Sequence, residues 1–290
     1  MIRLTRRSVL ASSALPLMAA KFTQPLGVQL YTVRMLMPKD PRGTLAAIAA
    51  MGYQFVEPGR GQLAQLEPYL KELKLSTPSV GLELPLVTGR PQGAQAPANA
   101  PQSLEDAIAP LPSKGVRFAV IAYVGKPERD APGFYERFAD QMNKAGETCR
   151  KHGVQLCYHH HSFEFDPAGG KRPFDTLIER FDPKLVHFEI DTFWLKIGGE
   201  DPAGMLRRLK GRVSLVHLKD IARGTAVEYN EGKVAREAFK EVGNGELNWP
   251  QILKACQEAG VREYIVEQDW WPGDPLDSLK QSIHYLRSLS

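Results

Sequence analysis

The chain has 290 residues and a formal net charge of +4. Three of its arginines, Arg3, Arg6 and Arg7, lie in the first twenty residues, which contain no acid, so the remaining body carries only +1. A body this close to neutral has no long-range field for gathering a polyanion, which argues against nucleic acid as a partner.

The first twenty residues differ from the rest. Behind the arginines, residues 9–20 form an acid-free apolar run too short to span a bilayer as a mature helix, the pattern of an export leader. Thr5-Arg6-Arg7-Ser8-Val9-Leu10 resembles a twin-arginine signal, so residues 1–20 are expected to be a cleaved leader and the mature chain periplasmic, without a stable membrane anchor. Gly and Pro are scattered rather than gathered into a linker, so residues 21–290 read as one domain. Cys149, Cys157 and Cys256 cannot all pair within one chain and form no C-x-x-C, so buried free thiols are expected.

In chain order, residues 26–32 (LGVQLYT) are a short β-prone run, and Leu45, Ile48 and Ala49 within 44–51 have helical spacing. Residues 53–57 (YQFVE) repeat the strand signal, and Leu63, Leu66, Leu70 and Leu73 mark the next helix. Residues 76–82 are a weaker third strand interrupted by Pro78, followed over 83–101 by a Pro-, Gly- and Ala-rich stretch expected as a long loop. Residues 115–124 (GVRFAVIAYV) are the clearest buried strand, and the helix after it carries Phe134, Phe138, Met142, Ala145 and Cys149 along one stripe. The fifth strand lies in 154–165 (VQLCYHHHSFEF), with Phe174, Leu177, Ile178 and Phe181 on the following helix and a sixth strand over 185–192. Asp201-Pro202 is an N-cap and N1 pair before a helix bearing Met205, Leu206 and Leu209. Residues 213–218 are the seventh strand, followed by a helix with Ile252, Leu253 and Cys256. Residues 264–268 are the eighth strand, followed by a closing helix with Leu276, Leu279, Ile283 and Leu286.

Eight strand-helix units predict an α/β fold, the parallel (β/α)8 TIM barrel. The competing open doubly wound sheet lacks support, because no G-x-G-x-x-G follows the first strand and no Walker A loop is present. A TIM barrel places its site at the C-terminal strand ends. Collected there are Gln29 and Tyr31, Glu57, His159, His161 and Glu164, Asp191, His217 and Lys219, and Glu267 and Asp269. Strands five to eight thus offer Glu or His, Asp, His and Glu, a donor set suited to one Mn²⁺, Co²⁺, Zn²⁺ or Mg²⁺ ion. Singly each is ordinary, since a strand-end His is commonly structural and an acid commonly caps the next helix; it is their convergence that predicts a metal site. His160 alternates to the opposite face, where plain packing is expected.

His159-x-His161-x-x-Glu164-Phe165, Asp191-Thr192-Phe193-Trp194 with Gly199-x-Asp201-Pro202, Val216-His217-Leu218-Lys219-Asp220, Gly243-x-Gly245 and Val266-Glu267-Gln268-Asp269 together resemble the motifs of sugar phosphate isomerases/epimerases, the xylose-isomerase-like TIM barrels. The resemblance covers essentially the whole mature chain. It implies one divalent metal at the barrel mouth, with Asp191, His217 and Glu267 among the ligands. Many members carry a Glu where His159 stands, so either His159 binds or Glu164 folds back to replace that carboxylate; Glu164 is the expected ligand, leaving His159 and His161 free to contact substrate or to support the ligands from behind. Ser79-Val80-Gly81 lacks the histidine that relatives often carry after that serine.

Such a metal would stabilise the enediolate formed when a sugar C–H next to a carbonyl loses its proton. Glu57, Glu267, His159 and His161 are candidates for the base. Lys219 either screens the developing oxyanion or pairs at the surface with Asp220. Gln29, Tyr31 and Trp194 are expected to contact the sugar, with aromatic packing the alternative role for the last two. Export and the absence of an Arg cluster or Gly-rich phosphate cradle favour a free or oxidised sugar over a phosphorylated one. Isomerase or epimerase chemistry is expected, with a lyase or hydrolase of a keto-glycoside as the alternative. An apurinic-endonuclease-like enzyme requires a basic groove that the charge does not provide, and a non-catalytic sugar-binding barrel would not need the ligand series. Nothing in the sequence specifies an oligomeric state.

Overall fold

The computed structural model describes residues 22–89 and 101–289; the expected leader over 1–20 and most of the long-loop stretch, 90–100, lie outside them. Parallel strands alternate with helices in the order β1 (Leu26–Gln29), β2 (Phe55–Glu57), β3 (Ser79–Gly81), β4 (Phe118–Ile121), β5 (Gln155–His159), β6 (Val186–Asp191) and β7 (Val213–Leu218). Two-residue strands β8 (Asp220–Ile221) and β9 (Phe239–Lys240) follow, and β10 (Glu263–Val266) is the eighth barrel strand. Their order in the sheet is β2-β1-β10-β7-β6-β5-β4-β3, and the bridges Phe55–Ser76 and Gly59–Gly81 bring the two ends together. The architecture is therefore the TIM barrel expected from the alternating periodicities.

Strand alternation divides the apolar residues into two cores. Val28, Val56, Ala119, Leu156, Tyr158, Ile190, Val216 and Val266 face outward into the layer shared with the helices. Phe55, Phe118, Val120, Cys157, Leu215 and Ile265 fill the barrel axis. Gly27 makes this filling possible: a Cβ there would lie 2.1 Å from the Phe55 ring. On the helix Phe134–Lys151 the expected stripe, Phe134, Phe138, Met142, Ala145 and Cys149, is the buried one. Asp201 caps the helix Pro202–Arg208 by accepting from the Gly204 amide at 2.9 Å, with Pro202 at its first position. All three cysteines are free and buried. No helix among the described residues is long and apolar enough to cross a membrane.

Three local differences from the sequence reading shape the barrel mouth. The first strand stops at Gln29, whose side-chain oxygen accepts from the Tyr31 amide and starts the 3-10 turn Leu30–Val33, leaving Tyr31 on the rim. A short helix, Thr192–Ile197, begins directly after β6 and is capped by Asp191. Finally, β8 and β9 pair as an antiparallel ribbon, which lays Phe239 and Ala238 on Phe193, Trp194 and Ile197. Asp220 anchors this excursion. Its carboxylate accepts from the amides of Ile221, Gly243, Gly245 and Leu247 and from Trp249 Nε1. Gly245 is required for that approach, because a Cβ would sit 2.2 Å from Asp220 Oδ1. Elsewhere, part of the expected loop over 83–101 is the helix Leu84–Thr88, and Leu104–Ile108 forms another, capped by Ser103.

Candidate metal centre

The cluster is built by the inward-facing residues one step above the apolar filling. One nitrogen or oxygen from each of His159, Asp191, His217 and Glu267 lies within 4.8 Å of the others, and all four residues are buried. A second group, Glu57, Glu189 and His217, meets the same criterion and shares its histidine. His217 joins them: Nδ1 lies 3.0 Å from Glu267 Oε2 and 4.0 Å from Asp191 Oδ2, while Nε2 lies 3.1 Å from Glu57 Oε1 and 3.3 Å from Glu189 Oε1. Glu189 Oε2 in turn lies 3.0 Å from His159 Nδ1.

This arrangement fits a divalent cation. Asp191 Oδ1 is used by the Trp194 amide, whereas Oδ2 has no hydrogen bond; Lys219 Nζ is 3.1 Å away, inside ion-pair range but off hydrogen-bonding alignment. Imidazole and carboxylate donors of this number match the preferences of Mn²⁺, Co²⁺, Zn²⁺ and Mg²⁺. With His217 Nδ1 toward a cation, its Nε2–H would point at Glu57 and Glu189. With His159 Nε2 toward it, Nδ1–H would point at Glu189. Each histidine thus has the carboxylate partner that fixes a ligating tautomer.

Charge is balanced locally. Burial disfavours the imidazolium of His217, but Glu189 and Glu267 outweigh that and lift its pKa well above the usual value. Burial and the Glu189 charge push Glu57 up, whereas His217 and His159 overcome burial to hold Glu189 down to about 2. The two carboxylates below the histidine are therefore split into one that readily takes a proton and one that does not. Lys219 is fully buried, with Nζ 2.8 Å from Glu267 Oε2, 3.1 Å from Asp191 Oδ2 and bonded to Asp269. It does not pair with Asp220 at the surface, because Asp220 is spent on backbone amides. Burial works against its charge, but Asp191, Asp269 and Glu267 raise its pKa well above the usual lysine value.

Above the cluster opens a cavity of about 600 Å³ lined by Gln29, Tyr31, His159, His161, Trp194, His217, Glu267 and Asp269 among others. His161 stacks on Phe163 and tilts against Trp194, with its Nδ1 unpartnered. Burial, then His159 and Lys219, push its pKa well below the usual value, so the ring is neutral. Gln29 Nε2 donates to Glu57 Oε1 at 2.7 Å. Glu57 itself lies beneath His217, bonded to that ring and to Gln29.

Two expectations change. Glu164 does not join the cluster: its carboxylate accepts from the Tyr158 hydroxyl and, at 2.9 Å, from the His161 amide. Tyr158 belongs to the outward face of β5, and the 3-10 turn Phe163–Phe165 carries Glu164 to that side, so the fifth-strand donor brought to the cluster is His159. Burial, only partly opposed by those bonds, raises the Glu164 pKa to about 8. His160 does face outward against Phe165 and Phe174, but it is more than packing: its Nε2 accepts from the Asp191 amide at 3.1 Å. Glu189 was not among the expected site residues. Its signal is its place two residues before Asp191, on the same face of β6.

Comparison with known proteins agrees with this architecture. An inosose dehydratase of Mesomycoplasma hyopneumoniae is 30% identical over 176 residues, which are 56% of this chain and 58% of that protein. The chain thus spans a little over half the length of that relative. A sugar phosphate isomerase/epimerase from Parabacteroides distasonis superposes with a TM-score of 0.71 at 22% identity, covering 97% of this chain and 98% of its own. A D-allulose 3-epimerase from a Methylomonas species, solved with D-allulose, gives a TM-score of 0.61 at 14% identity over 93% of this chain and 98% of its own. At those identities the two structures speak to the fold. The model of the xylose isomerase-like TIM barrel family matches residues 45–289, and the chain belongs to that family.

Proposed function

We propose that the protein is a divalent-metal-dependent sugar isomerase or epimerase acting through an enediolate on a carbohydrate or keto-sugar. The observation that carries this reading is the convergence of His159, Asp191, His217 and Glu267 at the floor of a cavity of about 600 Å³. A divalent cation held there would polarise neighbouring sugar oxygens and spread the negative charge left when the adjacent C–H loses its proton. The rest is done by the chain. His161 lines the cavity wall with an unpartnered Nδ1, placed to take that proton. Glu57 and Glu189 hold the rings of His217 and His159. Lys219 fixes Asp191 and Glu267 and adds positive charge beside the developing oxyanion, and Trp194 and Tyr31 wall the sugar. Gln29 orients Glu57 and the Tyr31 backbone together.

A second reading is favoured by the match to inosose dehydratase: the same enediolate, expelling a β-substituent instead of being reprotonated, makes the enzyme a lyase. Incubating the Mn²⁺-loaded protein with aldo- and keto-sugars in D₂O and following the carbon next to the carbonyl by NMR tests both. Exchange with retention of all substituents is expected; exchange with loss of one selects the lyase, and no exchange with any sugar overturns enediolate chemistry.

We also propose that residues 1–20 direct the domain over 21–290 to the periplasm, a reading supported by the Arg6-Arg7 motif. Fractionation of cells expressing the full chain is expected to recover it in the periplasm and to lose that signal in Arg6→Lys with Arg7→Lys. Retention of the wild type in the cytoplasm would sink the proposal.

A further inference from the structure

Beyond the cavity over the cluster lies a second one of about 530 Å³, and Gln29, Tyr31 and Gly59 line both. Tyr31 forms the divide. Its residue is 50% exposed, unusual for a large aromatic, yet it is held firmly. The Arg34 guanidinium lies 4.0 Å from its ring centroid and 4.7 Å from that of Trp271, so Arg34 packs over both aromatics. The same guanidinium donates to the carbonyls of Tyr31 at 2.9 Å and Asp269 at 2.7 Å. The Tyr31 amide is bonded to Gln29, which also holds Glu57. A rigid, half-open aromatic is thus coupled to the floor of the site on one side and to a second cavity on the other. That second cavity is lined by the exposed amide side chains Gln62 and Gln65.

The two cavities leave room for more than one sugar ring. A hexose has about 12 non-hydrogen atoms, and at no more than the roughly 30 Å³ share of a water molecule each it fills less than about 360 Å³. The first cavity alone exceeds that, and the second nearly doubles the space. Charge narrows the choice further. Among the described residues lining the two cavities, the lysine and arginine side chains come down to Arg34, already committed to two carbonyls and two rings, and the His217 ring is paired with Glu267 and Glu57, so no unpaired cation faces a phosphate there.

We propose that the substrate is a glycoside rather than a monosaccharide. Its reacting sugar sits over the His159–Asp191–His217–Glu267 cluster, and a second, unphosphorylated sugar ring passes Tyr31 to be bonded by Gln62 and Gln65. This deepens the reading of the site as a sugar-transforming metal centre and rests on it. Tyr31 supplies the apolar face on which such a ring lies, Gln65 supplies a donor and an acceptor for hydroxyls, and Gln62, whose Oε1 accepts from the Gly59 amide at 3.0 Å, supplies its Nε2 donors.

The test is calorimetric titration of the Mn²⁺-loaded protein with glucose, galactose, xylose and fructose and with cellobiose, lactose, xylobiose and lactulose. At least one disaccharide is expected to bind about tenfold more tightly than the monosaccharide at its reducing end, and Gln62→Ala with Gln65→Ala to bring that ratio to within about twofold of unity. Monosaccharides that bind with no gain from the second ring overturn the glycoside proposal while leaving the metal-site reading standing. A gain that survives the double substitution overturns the placement of the second ring. Binding of no sugar at all overturns the sugar reading and this proposal with it.

Discussion

Two layers of side chains inside one barrel are separated by a single step of two residues. Phe55, Cys157, Leu215 and Ile265 belong to the apolar filling, and two positions further along the same inward faces stand Glu57, His159, His217 and Glu267. The backbone scaffold is shared, but the physics is opposite. The lower layer gains from removing apolar surface from water, about 25 cal/mol per Å². In the upper layer each buried charge would cost several kcal/mol if left alone, and it persists because every carboxylate faces a cation or an imidazole. The contrast teaches that apolar packing and the polar cluster occupy adjacent layers, two residues apart on the same strands.

The sharpest way to break that separation acts on the upper layer. The folded wild type is expected to retain roughly one equivalent of metal by elemental analysis, and Asp191→Asn combined with His217→Gln to abolish it, while far-ultraviolet circular dichroism stays that of the wild type. Stoichiometric metal in the double variant would remove the cluster from consideration as the binding site. A substitution in the lower layer is expected to do the reverse. Leu215→Ala leaves a cavity on the barrel axis and should cost about 2–5 kcal/mol in denaturant unfolding, with metal stoichiometry preserved at saturating metal. Loss of metal at an unchanged unfolding midpoint would show that the layers are not separable as described.

The smallest effect sharpens the boundary of the upper layer. Glu164→Gln is expected to leave metal content unchanged, since that carboxylate is bonded to Tyr158 and the His161 amide. Its signature lies in pH. Burial raises the folded-state pKa to about 8, above the value of about 4.3 in an unfolded chain, so the folded state holds the extra proton between them. The stabilising contribution is therefore full below about pH 4.3 and is lost as pH rises through about 8. Wild type should lose stability relative to Glu164→Gln across that window; parallel profiles would show that the carboxyl is ionised in the fold.

Much of the upper layer was legible because strand-end position and alternation are local properties. Asp191 closes β6, His217 is the penultimate residue of β7 and Glu267 follows β10, and counting by twos puts them on the inner face. Glu189 obeys the same count but lies mid-strand, where a carboxylate has no motif of its own. The choice between His159 and Glu164 was not legible. It depends on whether the chain after β5 folds back over the mouth or turns outward, and a five-residue separation permits either. The hairpin of β8 and β9 was equally hidden, because two-residue strands have no periodicity; Asp220 and its five donors hold it.

The sequence by itself determined the alternation of strand and helix, the closure into a barrel, and which side chains face inward, since these follow from periods of two and 3.6 residues and from turn chemistry. Only the tertiary structure decided which of the inward groups lie close enough to share a proton or to hold a cation between them. Glu57 and His217 are 160 residues apart, and the 3.1 Å between them is set by strand register and barrel closure rather than by any neighbour in the chain. Electrostatic coupling falls with distance through space, and the chain sets that distance only once it is folded.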